Sequence, residues 1–148
     1  MLTLIRRALL EDESKVFDLF SRLTSRHRTD QYRVDQKTGH PIYRRIIENP
    51  ALGVILVAQE GDMILGVISL SYPMAIRCSG PYARIEEYIV DESSRGRGIG
   101  GMLLEAAIHE ARELGCFDLQ VNNPSDLGRP LYNNQCFEDG GEYMRLKL

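Results

Sequence analysis

Residues 95–101 read Arg95-Gly96-Arg97-Gly98-Ile99-Gly100-Gly101, set between an apolar run that ends at Val90 and an amphipathic stretch from Gly101 to Leu114. Four glycines in six positions let a backbone approach a ligand without side-chain obstruction. Where a helix begins, the first amides point outward at the positive end of its dipole. The stretch therefore predicts an anion cradle at a helix N-terminus, with a pyrophosphate as its natural occupant. A turn that merely enters a helix is the competing reading, and it would not need so many glycines, each costing roughly 0.5 to 1 kcal/mol where unneeded.

Working outward, Ala83 to Val90 reads as a strand. Strict alternation puts Arg84, Glu86 and Tyr88 on one face and Ile85, Glu87 and Ile89 on the other. On the far side of the glycines, Leu103, Leu104, Ala107, Ile108, Ala111 and Leu114 share a helical face, and Gly115 stands where a helix end favours a left-handed residue. Upstream, Thr3 to Arg6 predicts a strand and Asp12 to Leu23 a helix. Val54 to Gln59 and Met63 to Ser71 predict a hairpin turned at Glu60-Gly61-Asp62. Thr24 to Gly39 is polar and aperiodic, the stretch expected to be most mobile, and Tyr43 to Glu48 predicts a short helix after His40-Pro41. Downstream, Phe117 to Val121 predicts a strand, Arg129 to Asn134 a short helix, and Phe137 to Leu148 a pair of strands turned at Asp139-Gly140-Gly141. This order predicts an α/β (α+β) fold, a single domain over residues 1–148 whose mixed, twisted β-sheet is flanked by helices on both faces.

A chain of 148 residues can bury a core without staples. Its net charge of -3 and 43% hydrophobic content speak against disorder and against a nucleic-acid partner. No run approaches the ~20 apolar residues of a membrane span, and the first residues lack the apolar core of a signal peptide, so a cytoplasmic protein without a membrane partner is expected. Three widely spaced cysteines suggest neither disulfides nor a metal knuckle, and Cys116 and Cys136 are expected as small buried fillers. His109-Glu110 lacks the second histidine of a zinc-protease motif, so no metal is expected. A homodimer is the default assembly.

Gly96, Gly98 and Gly101 also satisfy Gly-x-Gly-x-x-Gly, the dinucleotide fingerprint. Its context differs: there the strand runs almost directly into the glycines and an acidic residue closes the next strand. Here Asp91 to Ser94 intervene, and Asp118 lies at that strand's beginning. No Lys-Ser/Thr follows Gly101, which excludes a Walker A loop.

The segment Arg95-Gly-Arg-Gly98-Ile-Gly100 resembles the Gln/Arg-x-x-Gly-x-Gly/Ala signature of the GCN5-related N-acetyltransferases. Ile5-Arg6-Arg7-Ala8 with Asp12 looks like that family's opening, and Leu131-Tyr132 through Phe137 resembles its Leu-Tyr-x-x-x-Gly-Phe segment. The resemblance implies acetyl-CoA as co-substrate, its pyrophosphate on the backbone of Arg95, Gly96, Arg97, Gly98, Ile99, Gly100 and Gly101 and its pantetheine arm beside Tyr88, Ile89 and Val90. It implies direct transfer of the acetyl group to a deprotonated amine. For the base, Glu86 and Glu87 stand in an apolar strand, where an unpaired carboxylate is costly and its pKa rises toward the range a general base needs. Glu86 falls where the branch resembling glucosamine-phosphate acetyltransferases carries its acid, and Arg84 where the histone-modifying branch carries its glutamate, which points away from a histone-type mechanism. A salt bridge from Glu86 to Arg84 or to a neighbour is the structural alternative. Tyr132 falls where the family places its general acid, and a phenol of pKa near ~10 suits protonation of a departing thiolate. Ser125 and Cys136 replace the Asn and Gly of the family's pattern, with Asn122 or Asn123 as substitutes for the first. The expected acceptor is a small-molecule primary amine. A peptide acceptor, a non-catalytic CoA-binding module and a dinucleotide-dependent oxidoreductase remain as alternatives.

Overall fold

The computed structural model describes residues 1–23, 32 and 34–148. Its strands are β1 (Leu4–Arg7), β2 (Gly53–Glu60), β3 (Met63–Ser71), β4 (Met74–Ala75), β5 (Gly80–Pro81), β6 (Ala83–Val90) and β7 (Leu119–Val121), and its helices are α1 (Glu13–Phe20), α2 (Gln36–Glu48), α3 (Ile99–Glu113) and α4 (Arg129–Asn134). One five-stranded sheet runs β1-β2-β3-β6-β7, while β4 and β5 pair apart from it as a small hairpin. Neighbours in the main sheet are antiparallel except β6 and β7, which are parallel, so the sheet is mixed as the sequence predicts.

Alternation along β2 explains the layers. Val54, Leu56 and Ala58 join Ile68 and Leu70 of β3 under Leu103, Leu104, Ala107 and Ala111 of α3. Ile55 and Val57 join Val67 and Ile89 under Val16, Leu19 and Phe20 of α1 and Tyr43 of α2. Each apolar side of the sheet is thus covered by helices, the arrangement that removes the most apolar area from water. The β2–β3 turn uses Gly61 at φ 59°, a left-handed conformation open to glycine.

Three expectations change. Phe137 to Leu148 forms no strands; its Met144, Leu146 and Leu148 stay exposed, because alternation without an edge to pair with does not make a strand. α2 begins at Gln36, seven residues earlier than its apolar spacing suggested. Asp35 caps it by accepting from Lys37 N at 3.1 Å, and Gly39, which reads as a loop residue, is needed because a Cβ there would lie 2.6 Å from the Phe17 ring. The mobility expected over Thr24 to Gln31 and at Arg33 falls outside the described residues, whereas Gln36 to Gly39 is helical.

Candidate functional site

β7 pairs with β6 only at Ala83–Leu119, Arg84–Gln120 and Ile85–Val121. Beyond Ile85 the strands part, and among the described residues no strand pairs with β6 on that side from Tyr88 to Val90. At the same point β6 bulges: Ser69 pairs with Glu87 but Leu70 pairs with Ile85, so Glu86 is the extra residue. The bulge resets the strand's phase. Ile85 packs on the α3 side with Tyr88 and Val90 while Ile89 packs on the α1 side, which corrects the simple alternation.

The bulge and the fork bring both glutamates to one cleft of about 1310 Å³, with Ser69 and Arg84 in its floor, Phe17 and Phe20 of α1, Tyr43 of α2 and its cap Asp35 on one wall, and Asn122, Asn123 and Ser125 on another. Tyr143 and Arg145 of the C-terminal segment also border it. Glu87 accepts from the Ser69 hydroxyl, whose Oγ in turn accepts from Glu87 N at 3.1 Å. Ser71 Oγ donates to Glu86 Oε2 at 2.6 Å. Glu86 is exposed, so the apolar burial expected around it is absent; the bulge turns it out of the strand's buried row. Sequence reasoning missed Ser69 and Ser71, although two serines two residues apart in an apolar strand mark a polar strip on one face.

The glycine stretch forms a cradle. Gly96 (φ 78°) and Gly98 (φ 79°) are left-handed, Gly98 precedes the first residue of α3, and no side chain caps that helix end. The leading amides of α3 therefore keep their donors available to a ligand. A Cβ on Gly96, Gly98 or Gly101 would meet nothing within 4 Å, while one on Gly100 would meet Leu131 Cδ1 at 3.1 Å and Tyr88 Oη at 3.2 Å. One side of the cradle is open and the other packs on the protein. Both arginines turn to the protein: Arg97 Nη2 donates to Glu60 Oε2 at 2.6 Å and Arg95 Nε to the Val90 carbonyl at 3.2 Å. The cradle is thus a backbone site first.

The Tyr88 hydroxyl donates to the Gly100 carbonyl. Burial, and after it the nearby Tyr132, pushes the Tyr88 phenol up, so it stays a protonated donor. Tyr132 is 6% exposed, its ring 6.1 Å from Tyr88 and 5.2 Å from Phe137, in the α3-side core. The two carboxylates border the cleft, whereas Tyr132 packs among the α3-side residues and is not part of the cleft's lining. α4 starts despite Gly128 and Pro130: the proline sits in the first turn, where a missing N–H costs nothing, and a Cβ on Gly128 would press on Ser125 Oγ and Tyr132 Cε2 at 3.2 Å. Cys136 is exposed and left-handed (φ 63°), not a buried filler, and Cys116 is half-buried with its thiol pushed up by burial. Among the described residues no cluster of three or more His, Cys, Asp or Glu could hold a metal ion, and no helix is long and apolar enough to cross a membrane.

The family model described as "Acetyltransferase (GNAT) family" matches residues 15–136. The chain belongs to this family. It is 42% identical over 91 residues to the aminoglycoside N(6')-acetyltransferase type 1 of Klebsiella aerogenes, a match covering 57% of this chain and 59% of that protein. It is 30% identical over 89 residues to glucosamine 6-phosphate N-acetyltransferase 1 of Oryza sativa subsp. japonica, covering 56% and 54%. The match thus spans little more than half the length of these curated relatives. Among solved structures, glucosamine-6-phosphate N-acetyltransferase from Arabidopsis thaliana superposes with a TM-score of 0.81 at 19% identity, covering 99% of each chain. A predicted acetyltransferase from Clostridium acetobutylicum, solved with acetyl-CoA, superposes with a TM-score of 0.79 at 23% identity, covering 99% and 96%. At those identities the superpositions establish the fold, including its mixed sheet between helices.

Proposed function

We propose that this chain transfers an acetyl group from acetyl-CoA to the primary amine of a small molecule by direct attack. The observation that carries this reading is the stretch from Tyr88 to Gly101, where a strand edge that no described strand pairs with leads into a glycine-lined helix start with no side-chain cap. The amides from Arg95 to Gly101 suit a diphosphate, and the main chain of Tyr88, Ile89 and Val90, on the side where β7 has turned away, suits the amide groups of a pantetheine arm. The thioester supplies the acetyl group.

The residues around the fork supply the proton transfers. Glu86 or Glu87 takes a proton from the ammonium, directly or through a water, and the free amine attacks the thioester carbonyl; the C–N bond forms, the C–S bond breaks, the Tyr132 phenol protonates the thiolate that leaves, and the second proton shed by the nitrogen returns to the Tyr132 oxygen. The two curated relatives are named for amines carried on sugars, so amino sugars are the first acceptors to try. The three cysteines are free, which fits the reducing cytoplasm.

The test is release of free thiol from acetyl-CoA across a panel of amino sugars, simple amines and peptides. Tyr132→Phe is expected to lower kcat by roughly 100-fold while CoA binding by calorimetry stays within about twofold. If the protein neither binds CoA nor releases thiol with any amine, the reading fails; if only peptides react, the acceptor class is wrong.

A further inference from the structure

Ser69 is buried, 3% exposed, between Ile68 and Leu70 of β3 and opposite Ile55 of β2. A hydroxyl in such a row adds little to apolar packing and is costly unless hydrogen-bonded. Both of its capacities go to one residue: its Oγ accepts from Glu87 N at 3.1 Å and donates to Glu87 Oε2. The main chain and the carboxylate of Glu87 are thus held by a single oxygen, which leaves the side chain little freedom to swing.

Glu86 is held differently. It is the extra residue of the bulge and is exposed, with its carboxylate on the hydroxyl of the half-buried Ser71. Ser71 pairs in register with Arg84 and not with Glu86, whereas Ser69 pairs with Glu87 itself. The Ser69 clamp is therefore built into the pairing of β3 with β6. A proton acceptor must keep an oxygen within hydrogen-bond reach of the nitrogen, and a long acidic side chain gives up rotamer freedom to do so. Glu87 is already fixed in this way at the border of the cleft, one residue before the main chain proposed for the pantetheine arm. A hydroxyl that donates to a carboxylate also favours its charged form, the form that can take a proton.

The geometry points to Glu87 as the group that takes the proton from the ammonium, and to Ser69 as the positioning residue that holds it at the cleft. This assignment rests on the acetyl-transfer reading and chooses between the two glutamates which that reading left open. Ser69 acts through Glu87: its own proton stays with it, while the proton leaving the nitrogen neutralises the Glu87 carboxylate. The other charged side chains that border the cleft among the described residues are Asp35, Arg84, Glu86, Asp126, Arg129 and Arg145, beside three tyrosines. A change at Ser69 or Ser71 leaves all of these in place, so a difference between the two variants reports the serine.

The experiment compares Ser69→Ala with Ser71→Ala in the thiol-release assay, each as a pH profile of kcat with one amine that the wild type acetylates. Loss of a hydrogen bond to the charged form raises the pKa of a carboxyl. Ser69→Ala is expected to move the acid limb up by roughly half to one pH unit and to lower kcat roughly tenfold, while acetyl-CoA binding by calorimetry stays within about twofold. Ser69→Thr keeps the hydroxyl and brings the limb back, and Ser71→Ala leaves the limb where the wild type has it. Glu87→Gln abolishes the limb and lowers kcat roughly 100-fold. Should Ser69→Ala not fold, Ser69→Cys, a weaker donor of similar shape, is measured in its place. A limb that moves with Ser71→Ala and not with the Ser69 variant gives the role to Glu86 and overturns the assignment. A limb that neither serine moves, or one that survives Glu87→Gln, overturns it as well. Each of these results leaves the acetyl-transfer reading standing; that reading falls on a different one, a folded wild-type protein that releases no thiol with any amine, and the assignment falls with it.

Discussion

The Tyr88 hydroxyl donates to the main-chain carbonyl of Gly100, joining the strand at the cleft floor to the first turn of the helix that forms the cradle. Its ring packs on the α3 side with Tyr132, so removing the oxygen alone leaves the core filled. Tyr88→Phe is expected to cost about 1 kcal/mol in urea unfolding. The same change raises KM for acetyl-CoA roughly threefold to tenfold with kcat little altered, as expected when a binding element loosens without loss of a reacting group. Steady-state kinetics on the variant check this.

Two glycines of the cradle separate folding from binding. Gly98 is left-handed, so Gly98→Ala is expected to destabilise by about 1 to 2 kcal/mol. Gly101 is helical and faces open space, so Gly101→Ala leaves stability equal or raises it by up to about 1 kcal/mol. Thermal melts measure both. If anions dock on the open side, Gly101→Ala still weakens acetyl-CoA in calorimetry, and an unchanged affinity places the ligand elsewhere.

Cys136 occupies a left-handed position, φ 63°, in a turn exposed to solvent. Cys136→Gly removes the steric strain of the Cβ at the expense of a more flexible unfolded chain, with a net gain of about 1 kcal/mol expected in thermal or chemical denaturation. Cys136→Val, branched at Cβ, moves stability the opposite way.

Asp12 accepts from Arg6 Nη1 at 2.7 Å, Arg6 Nη2 at 3.0 Å and Leu9 N at 2.7 Å, binding β1 to the turn before α1. The Arg6 guanidinium, more than any other group, holds its carboxyl below the ordinary value of 3.8. A lowered folded pKa means stability that is fully present above the unfolded value and drains away as pH falls through the folded one. Acid denaturation between about pH 4 and pH 2 is therefore expected to be shallower in Asp12→Asn, which is itself weaker by about 2 kcal/mol at neutral pH. Urea melts across that range report both effects.

Legibility in the sequence followed the range of the interactions involved. β6, α4 and the start of α3 were readable because glycines, a first-turn proline and apolar spacing are local signals. The face each glutamate takes was not, since the bulge at Glu86 comes from pairing across to β3 and breaks the period of two that alternation assumes. Gly39 looked like loop punctuation because its reason, the Phe17 ring, lies twenty-two positions away in the chain. The C-terminal segment shows the converse: Met144, Leu146 and Leu148 alternate like a strand, yet alternation states only what a strand would look like if a partner were there. Arg84 drew attention only as a departure from a family pattern, and its orphaned Nε is visible in three dimensions alone.

The parting of β6 from β7 leaves main-chain donors and acceptors in the middle of a sheet with no strand among the described residues beside them. Such an edge can recruit an extended segment from another molecule and seed clumping, a hazard that most sheets confine to their rims. A co-substrate whose amides lined that edge would act in effect as a removable strand. On the proposed function, acetyl-CoA then keeps the protein dispersed as well as supplying its acetyl group: light scattering of warmed, concentrated solutions falls as the thioester is added, and amide hydrogen exchange slows over Glu86 to Val90.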